Sequence, residues 1–122
     1  MTQPSQYAMF DFTEANDAAI VAGSDWHVTL TYLDANGNPR DLTGFDGFMQ
    51  IRSKPGGTLL TEVTVAITPE IGEISLSLVA AETIAIAGQS GVYDLLIQSV
   101  TETVALMRGR VDILPGVTVI EA

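Results

Sequence analysis

Apolar residues recur at every second position along this chain, in short runs separated by turn residues. The stretch from Trp26 to Arg52 sets the pattern. Trp26, Val28, Leu30 and Tyr32 alternate with His27, Thr29 and Thr31, as in a strand with one buried face. Asn36-Gly37 suits the positive φ angles of a tight turn, so Asp34 to Pro39 predicts a hairpin or bend. Leu42 to Phe45 reads as an irregular return. Met49 and Ile51 then alternate with Phe48, Gln50 and Arg52 in a second strand, which Lys54-Pro55-Gly56-Gly57 ends with a strong turn signal.

The same reading extends in both directions. Phe10 and Phe12 alternate with Asp11 and Thr13 in a first short strand, and Ala18 to Ala22 continues that edge after a kink. Leu59 to Ile67 is a strand rich in Thr and Val, broken by Thr68-Pro69-Glu70. Ile74, Leu76 and Leu78 mark another half-buried strand. Ala80 to Ala85 favours one or two turns of helix. Tyr93, Leu95 and Ile97, then Met107, Gly109, Val111 and Ile113, complete the alternation, and Pro115-Gly116 closes it. About seven short strands with turns between them predict an all-β antiparallel sandwich or barrel with one short helical turn. Residues 1–8 read as an N-terminal arm, 9–116 as the β-sandwich domain and 117–122 as a C-terminal tail. Strand parity predicts a core of Trp26, Leu30, Met49, Ile51, Leu76, Tyr93, Leu95, Ile97, Val111 and Ile113.

Composition narrows the function classes. A chain of 122 residues fits one domain. With no Cys, there is no disulfide scaffold and no thiolate chemistry. Fifteen acidic and five basic residues give a net charge of -10, a poor match for nucleic acid or an anionic membrane surface. The acids are scattered rather than blocked into a tail. The first residues carry no basic stretch before an apolar run, so no secretory signal is expected, and no apolar run is long enough to span a bilayer.

Candidate chemistry is sparse. The single His, His27, lies on the polar side of its strand, and one His without Cys cannot make the usual zinc sets. Asp34-x-Asn36-x-Asn38 resembles the start of a calcium loop. The sixth and twelfth positions, however, are Pro39 and Phe45 instead of Gly and Glu, so turn chemistry is the better reading. Asp41, Asp46 and Asp94 have no spacing that pairs two carboxylates in a cleft. No phosphate-binding glycine loop or nucleophile elbow is present. No cofactor, metal or small-molecule substrate is expected, and the chain is not expected to be an enzyme. Arg108 and Arg110 share a strand face and, with Arg52, hold three of the five cations. They read either as cross-strand partners of Asp94 or Asp112, or as a basic spot that docks an acidic neighbour. Tyr93 is placed for a tyrosine corner, and Trp26 for the core rather than for sugar stacking.

Asp11-Phe12-Thr13, the Asp34 to Pro39 turn, Asp41-Leu42-Thr43-Gly44 and Met49 to Gly57 together resemble a recurrent class of small bacteriophage proteins. The segments GEISLSLVAAETIAI and SGVYDLLIQS also fit, so the resemblance covers roughly residues 9 to 115. It implies an immunoglobulin-like β-sandwich in the virion, similar to the N-terminal module of phage baseplate upper proteins. Those modules commonly carry an appended receptor-binding or fibre part. Only six residues follow Pro115-Gly116, so the expectation is the module alone, used as a building block. The resemblance thus implies a non-enzymatic structural component of the tail, baseplate or neck, made in the host cytoplasm and carried in the particle in multiple copies. Its expected partners are other virion proteins. The alternatives are a decoration protein on the capsid surface and, in another class, a small host-glycan-binding module. The tail Val117-Thr118-Val119-Ile120 is suited to adding a strand to a neighbour. Val117, Val119, Ile120, Phe48, Arg108 and Arg110 are therefore the expected assembly interface.

Overall fold

Period-two segments can bury only one face each, so two layers must close over one another. The computed structural model describes residues 8–118. It contains β1 (Ala8–Met9), β2 (Ile20–Val21), β3 (Trp26–Thr31), β4 (Asp46–Arg52), β5 (Leu59–Thr68), β6 (Glu73–Leu78), β7 (Ser90–Gln98) and β8 (Thr103–Leu114). One helix, α1 (Ala80–Ala85), joins β6 to β7. The eighth strand arises because the N-terminal edge is split. A 3-10 turn at Glu14–Asn16, closed by Asp17 at φ 53°, separates β1 from β2, and both run parallel to β8.

Hydrogen bonding follows the path β1-β8-β7-β4-β5-β6-β3, with β2 also on β8. β5 belongs to both layers: residues 59–63 pair with β4, and residues 64–68 pair with β6. One layer is therefore β3, β6 and the second half of β5. The other is β4, β7, β8, the first half of β5 and the N-terminal strands. β3 and β4 lie in opposite layers, as do β6 and β7, which is the arrangement of an immunoglobulin-like sandwich. The fold is all-β and immunoglobulin-like.

This topology decides between the two readings of Asp34 to Pro39: the segment is the expected bend, not a hairpin between paired strands, and it carries the chain from one layer to the other. Leu33 and Pro39 form an isolated bridge across it. Asp34 Oδ1 accepts the N–H groups of Asn36 (2.9 Å) and Asn38 (3.0 Å), and Gly37 takes φ 82°. This is the side-chain-to-backbone chemistry of a turn.

The core between the layers holds Met49, Ile51, Leu76, Tyr93, Leu95, Ile97, Val111 and Ile113, as parity predicts. Each such burial contributes on the order of 1.5–3 kcal/mol relative to exposure. Trp26 and Leu30 are the exceptions. They are half-buried and pack on the rim of the core, because β3 is an edge strand beside the open side of the sandwich. Tyr93 does not form the expected corner. Helix α1 occupies the β6–β7 connection, and the Tyr93 hydroxyl donates instead to Phe10 O at 2.7 Å, tying the N-terminal strand to β7. Glycine at 109 lets that strand approach, since a Cβ there would collide with the Phe10 carbonyl.

Helix α1 is short and needs outside help at its N-terminus. Asp25 Oδ1 accepts the Ala80 N–H (2.8 Å), and Glu82 Oε1 accepts that of Val79 (2.9 Å). Fully buried Thr83 accepts the Gly23 N–H at 3.0 Å and donates to Ser24 O at 2.9 Å, pinning the helix to the turn before β3.

Candidate functional site

Two surface features stand out. The first is an apolar trough on the open side of the sandwich, between β3 and the N-terminal strand with β8. Its two lobes, about 410 and 380 Å³, share Leu30 and Met107. One lobe adds Phe10, Phe12, Trp26 and Val28, and the other adds Tyr32 and Leu106. Phe12 anchors the floor, with ring centroids 5.2 Å from Trp26 and 5.2 Å from Tyr93.

A bulge builds part of this trough. Leu95 pairs with Met107, yet Leu96 pairs with Ala105, so Leu106 is an extra residue on β8. The insertion turns both Leu106 and Met107 inward, half-buried, where strict alternation would send one of them out. Beside the trough, β3 pairs only with β6 among the described residues. Tyr32 donates its N–H to Gly72 O at 2.8 Å. By ladder alternation, the backbone groups of His27, Thr29 and Thr31 therefore point away from β6. An unpaired strand edge thus borders a hollow lined by half-buried apolar side chains.

The second feature is a concave face on the outer side of β4, β7 and β8, about 590 Å³ in volume. Cross-strand register sets it: Arg52 lies opposite Val92, which lies opposite Arg110, and Gln50–Asp94–Arg108 form the adjacent row. Lys54, from the turn after β4, joins the lining. Four of the chain's five cations therefore share one face. Arg52 is held rigidly: Nε and Nη2 donate to Gln50 Oε1 (3.0 and 2.8 Å), and Nη1 donates to Gly57 O (2.8 Å). A guanidinium has five N–H donors, so two remain for another acceptor. Asp11 also lines the face, where its Oδ1 accepts the Arg110 backbone N–H at 3.0 Å.

The residues expected at an interface are not gathered in one place. Arg108 and Arg110 lie in the basic concavity, with Arg108 directly across from Asp94. Phe48 is half-exposed, further along the outer face of β4. Val117 is fully exposed beyond β8. Val119 and Ile120, like residues 1–7, lie outside the described residues. Lys54 and the trough residues Phe10, Leu106 and Met107 were not expected at either surface. Lys54 carried only a turn signal, and the bulge that aims Leu106 leaves no mark in the alternation.

The other candidates sit apart. His27 is exposed on β3. Asp41 turns back on its own loop, where the Thr43 hydroxyl and then the Thr43 backbone N–H hold its carboxyl below the usual range. Arg40 forms an exposed ion pair with Glu102 at 3.0 Å, which raises its pKa. Among the described residues, no group of three or more His, Cys, Asp or Glu is placed to hold a metal ion. No helix among them is long and apolar enough to cross a membrane.

No family model matches the chain, and no curated protein does. Among solved structures, it is similar to the filamin domain of Lin-41. The two are 21% identical over 78% of this chain and 81% of that one, with a TM-score of 0.43.

Proposed function

We propose that this chain is a non-enzymatic structural component of a bacteriophage particle, a building block of the tail, baseplate or neck. The sequence resemblance motivates the particle, and the immunoglobulin-like fold is the one that resemblance implies. The observation that carries an assembly role is the outer edge of β3, which no strand pairs among the described residues, beside the apolar trough. An exposed edge offers a row of backbone donors and acceptors that another chain's strand can complete. The occupant that fits is an extended segment of a neighbouring virion protein. Its backbone would pair with His27, Thr29 and Thr31, while its alternate side chains would cover Trp26, Val28 and Leu30.

Thr29→Pro tests this reading. It removes an outward N–H from an edge strand, where proline is tolerated. The isolated variant should fold with its thermal transition retained, and particles assembled from a phage genome carrying it should lack the protein. Normal incorporation of folded Thr29→Pro would refute docking at this edge.

A further inference from the structure

β3 differs from the other long strands in one respect. Each of β4 to β8 carries at least one Asp, Glu or Arg, whereas Trp26–Thr31 carries no Asp, Glu, Lys or Arg. An open edge is where charge, proline or a bulge normally repels an incoming strand. β3 has none of these: it pairs with β6 in unbroken register, from Trp26 opposite Leu78 to Thr31 opposite Glu73. A chain of net charge -10 repels its own copies wherever their acids meet. Along this edge they do not meet.

The edge is also complementary to itself. His27, Thr29 and Thr31 direct their backbone groups outward, at every second residue. Consider a second β3 laid antiparallel to the first, with Thr29 opposite Thr29. His27 then faces Thr31 of the second copy, and Thr31 faces His27 of that copy. All three are hydrogen-bonded pairs that exchange two bonds each, so the contact makes about six. On the inner face, Val28 meets Leu30 of the second copy and Trp26 meets Tyr32 of that copy, apolar pairs at the closer cross-strand spacing. A two-fold axis normal to the sheet keeps both apolar faces on the same side, toward the layer that carries Phe10 and Met107. The nearby carboxylates stay apart. Asp25 falls opposite Leu33 and accepts the Ala80 N–H. Glu73, beside Thr31, lines up with His27 and then Ser77 of the second copy.

We propose that the partner of this edge is a second copy of the chain, with two β3 strands joined edge to edge about a two-fold axis through Thr29. This rests on the edge reading above and names its occupant: the extended segment is β3 itself. Such a contact is isologous and closes at a dimer. It makes one continuous sheet of the two layers that contain β3, and it covers the half-buried Trp26, Val28 and Leu30 of both copies.

Because residue 29 faces itself, opposite charges placed there distinguish this contact from any other. Thr29→Lys and Thr29→Glu change an exposed side chain, and melting curves report that each variant folds. The wild-type chain should sediment as a dimer. Each variant alone should associate about tenfold or more weakly, since like charges face each other across the axis. An equal mixture of the two should restore the dimer. Hydrogen exchange should show concentration-dependent protection of the His27, Thr29 and Thr31 amides, while those of Val28 and Leu30, which face β6, are protected throughout. A wild-type chain that stays monomeric, or a mixture that stays monomeric beside a wild-type dimer, would overturn the proposal. So would a dimer that ignores both substitutions but is lost on deleting residues 117–122. The edge reading fails separately. A monomeric wild type with folded Thr29→Pro excluded from particles overturns the second copy alone. Normal incorporation of Thr29→Pro beside a confirmed Thr29-dependent dimer refutes only the role of the edge in the particle.

Discussion

Replacing Tyr93 with Phe isolates one hydroxyl and reads it at two pH values. The Tyr93 ring is buried, and its hydroxyl donates to Phe10 O at 2.7 Å, the side-chain tie between β7 and the N-terminal strand. Phenylalanine keeps the ring and its packing on Phe12 but leaves the carbonyl without this donor. The cost near neutral pH should be about 1–2 kcal/mol, the range for a buried neutral hydrogen bond and its unsatisfied partner. Burial, and then the Asp11 carboxylate, push the native hydroxyl well above its ordinary range. The unfolded chain titrates near about pH 10 while the native state keeps its proton. A raised native pKa contributes fully below the unfolded value and is lost as pH rises past it. At about pH 11 the wild type should have lost about 1.4 kcal/mol through this group, a loss that Tyr93→Phe cannot show. The stability gap between the two proteins should therefore close between about pH 9 and pH 11. Urea denaturation followed by tryptophan fluorescence, repeated across that range, measures it. Two curves that fall in parallel, or a neutral-pH difference below about 0.3 kcal/mol, would refute the reasoning.

Other outcomes follow from the same geometry. Leu95→Ala, at a fully buried site between the layers, should cost about 2–5 kcal/mol in chemical denaturation. Thr83→Val leaves the Gly23 N–H without its acceptor and should cost about 1–3 kcal/mol, with early loss of amide protection in residues 23–25. Gly109→Ala should displace the N-terminal strand, seen as faster hydrogen exchange at Phe10 and Phe12, whose N–H groups donate to Arg108 O and Arg110 O. Deleting residues 117–122 should change the stability of the isolated domain by less than about 0.5 kcal/mol, since Val117 is fully exposed.

The long strands were legible because one face of each must be apolar, and parity at Met49, Ile51, Leu95 and Val111 leaves little choice. Helix α1 was legible from Ala and Glu in a short run. The pairing was not. Alternation says which face of β3 turns inward, but not that its neighbour is β6 rather than β4, so the Asn36-Gly37 signal left hairpin and bend both open. Edge position escaped for the same reason: Trp26 and Leu30 have core-type parity, and only topology leaves them on an open rim. Arg108 and Arg110 could be placed on a shared strand face from sequence, and Arg52 grouped with them. Lys54 required knowing that β4 and β8 flank β7. Tyr93 was singled out correctly as a hydrogen-bonding residue. Its partner, 83 residues upstream, had no local signature.

Quantitative mass spectrometry of purified phage particles is the sharpest test of the proposed structural role. The protein should be present in the particle at a fixed multiple of a major structural protein, retained through gradient purification and high-salt washing. Finding it only in the infected-cell lysate, and absent from the washed particle, would contradict that claim.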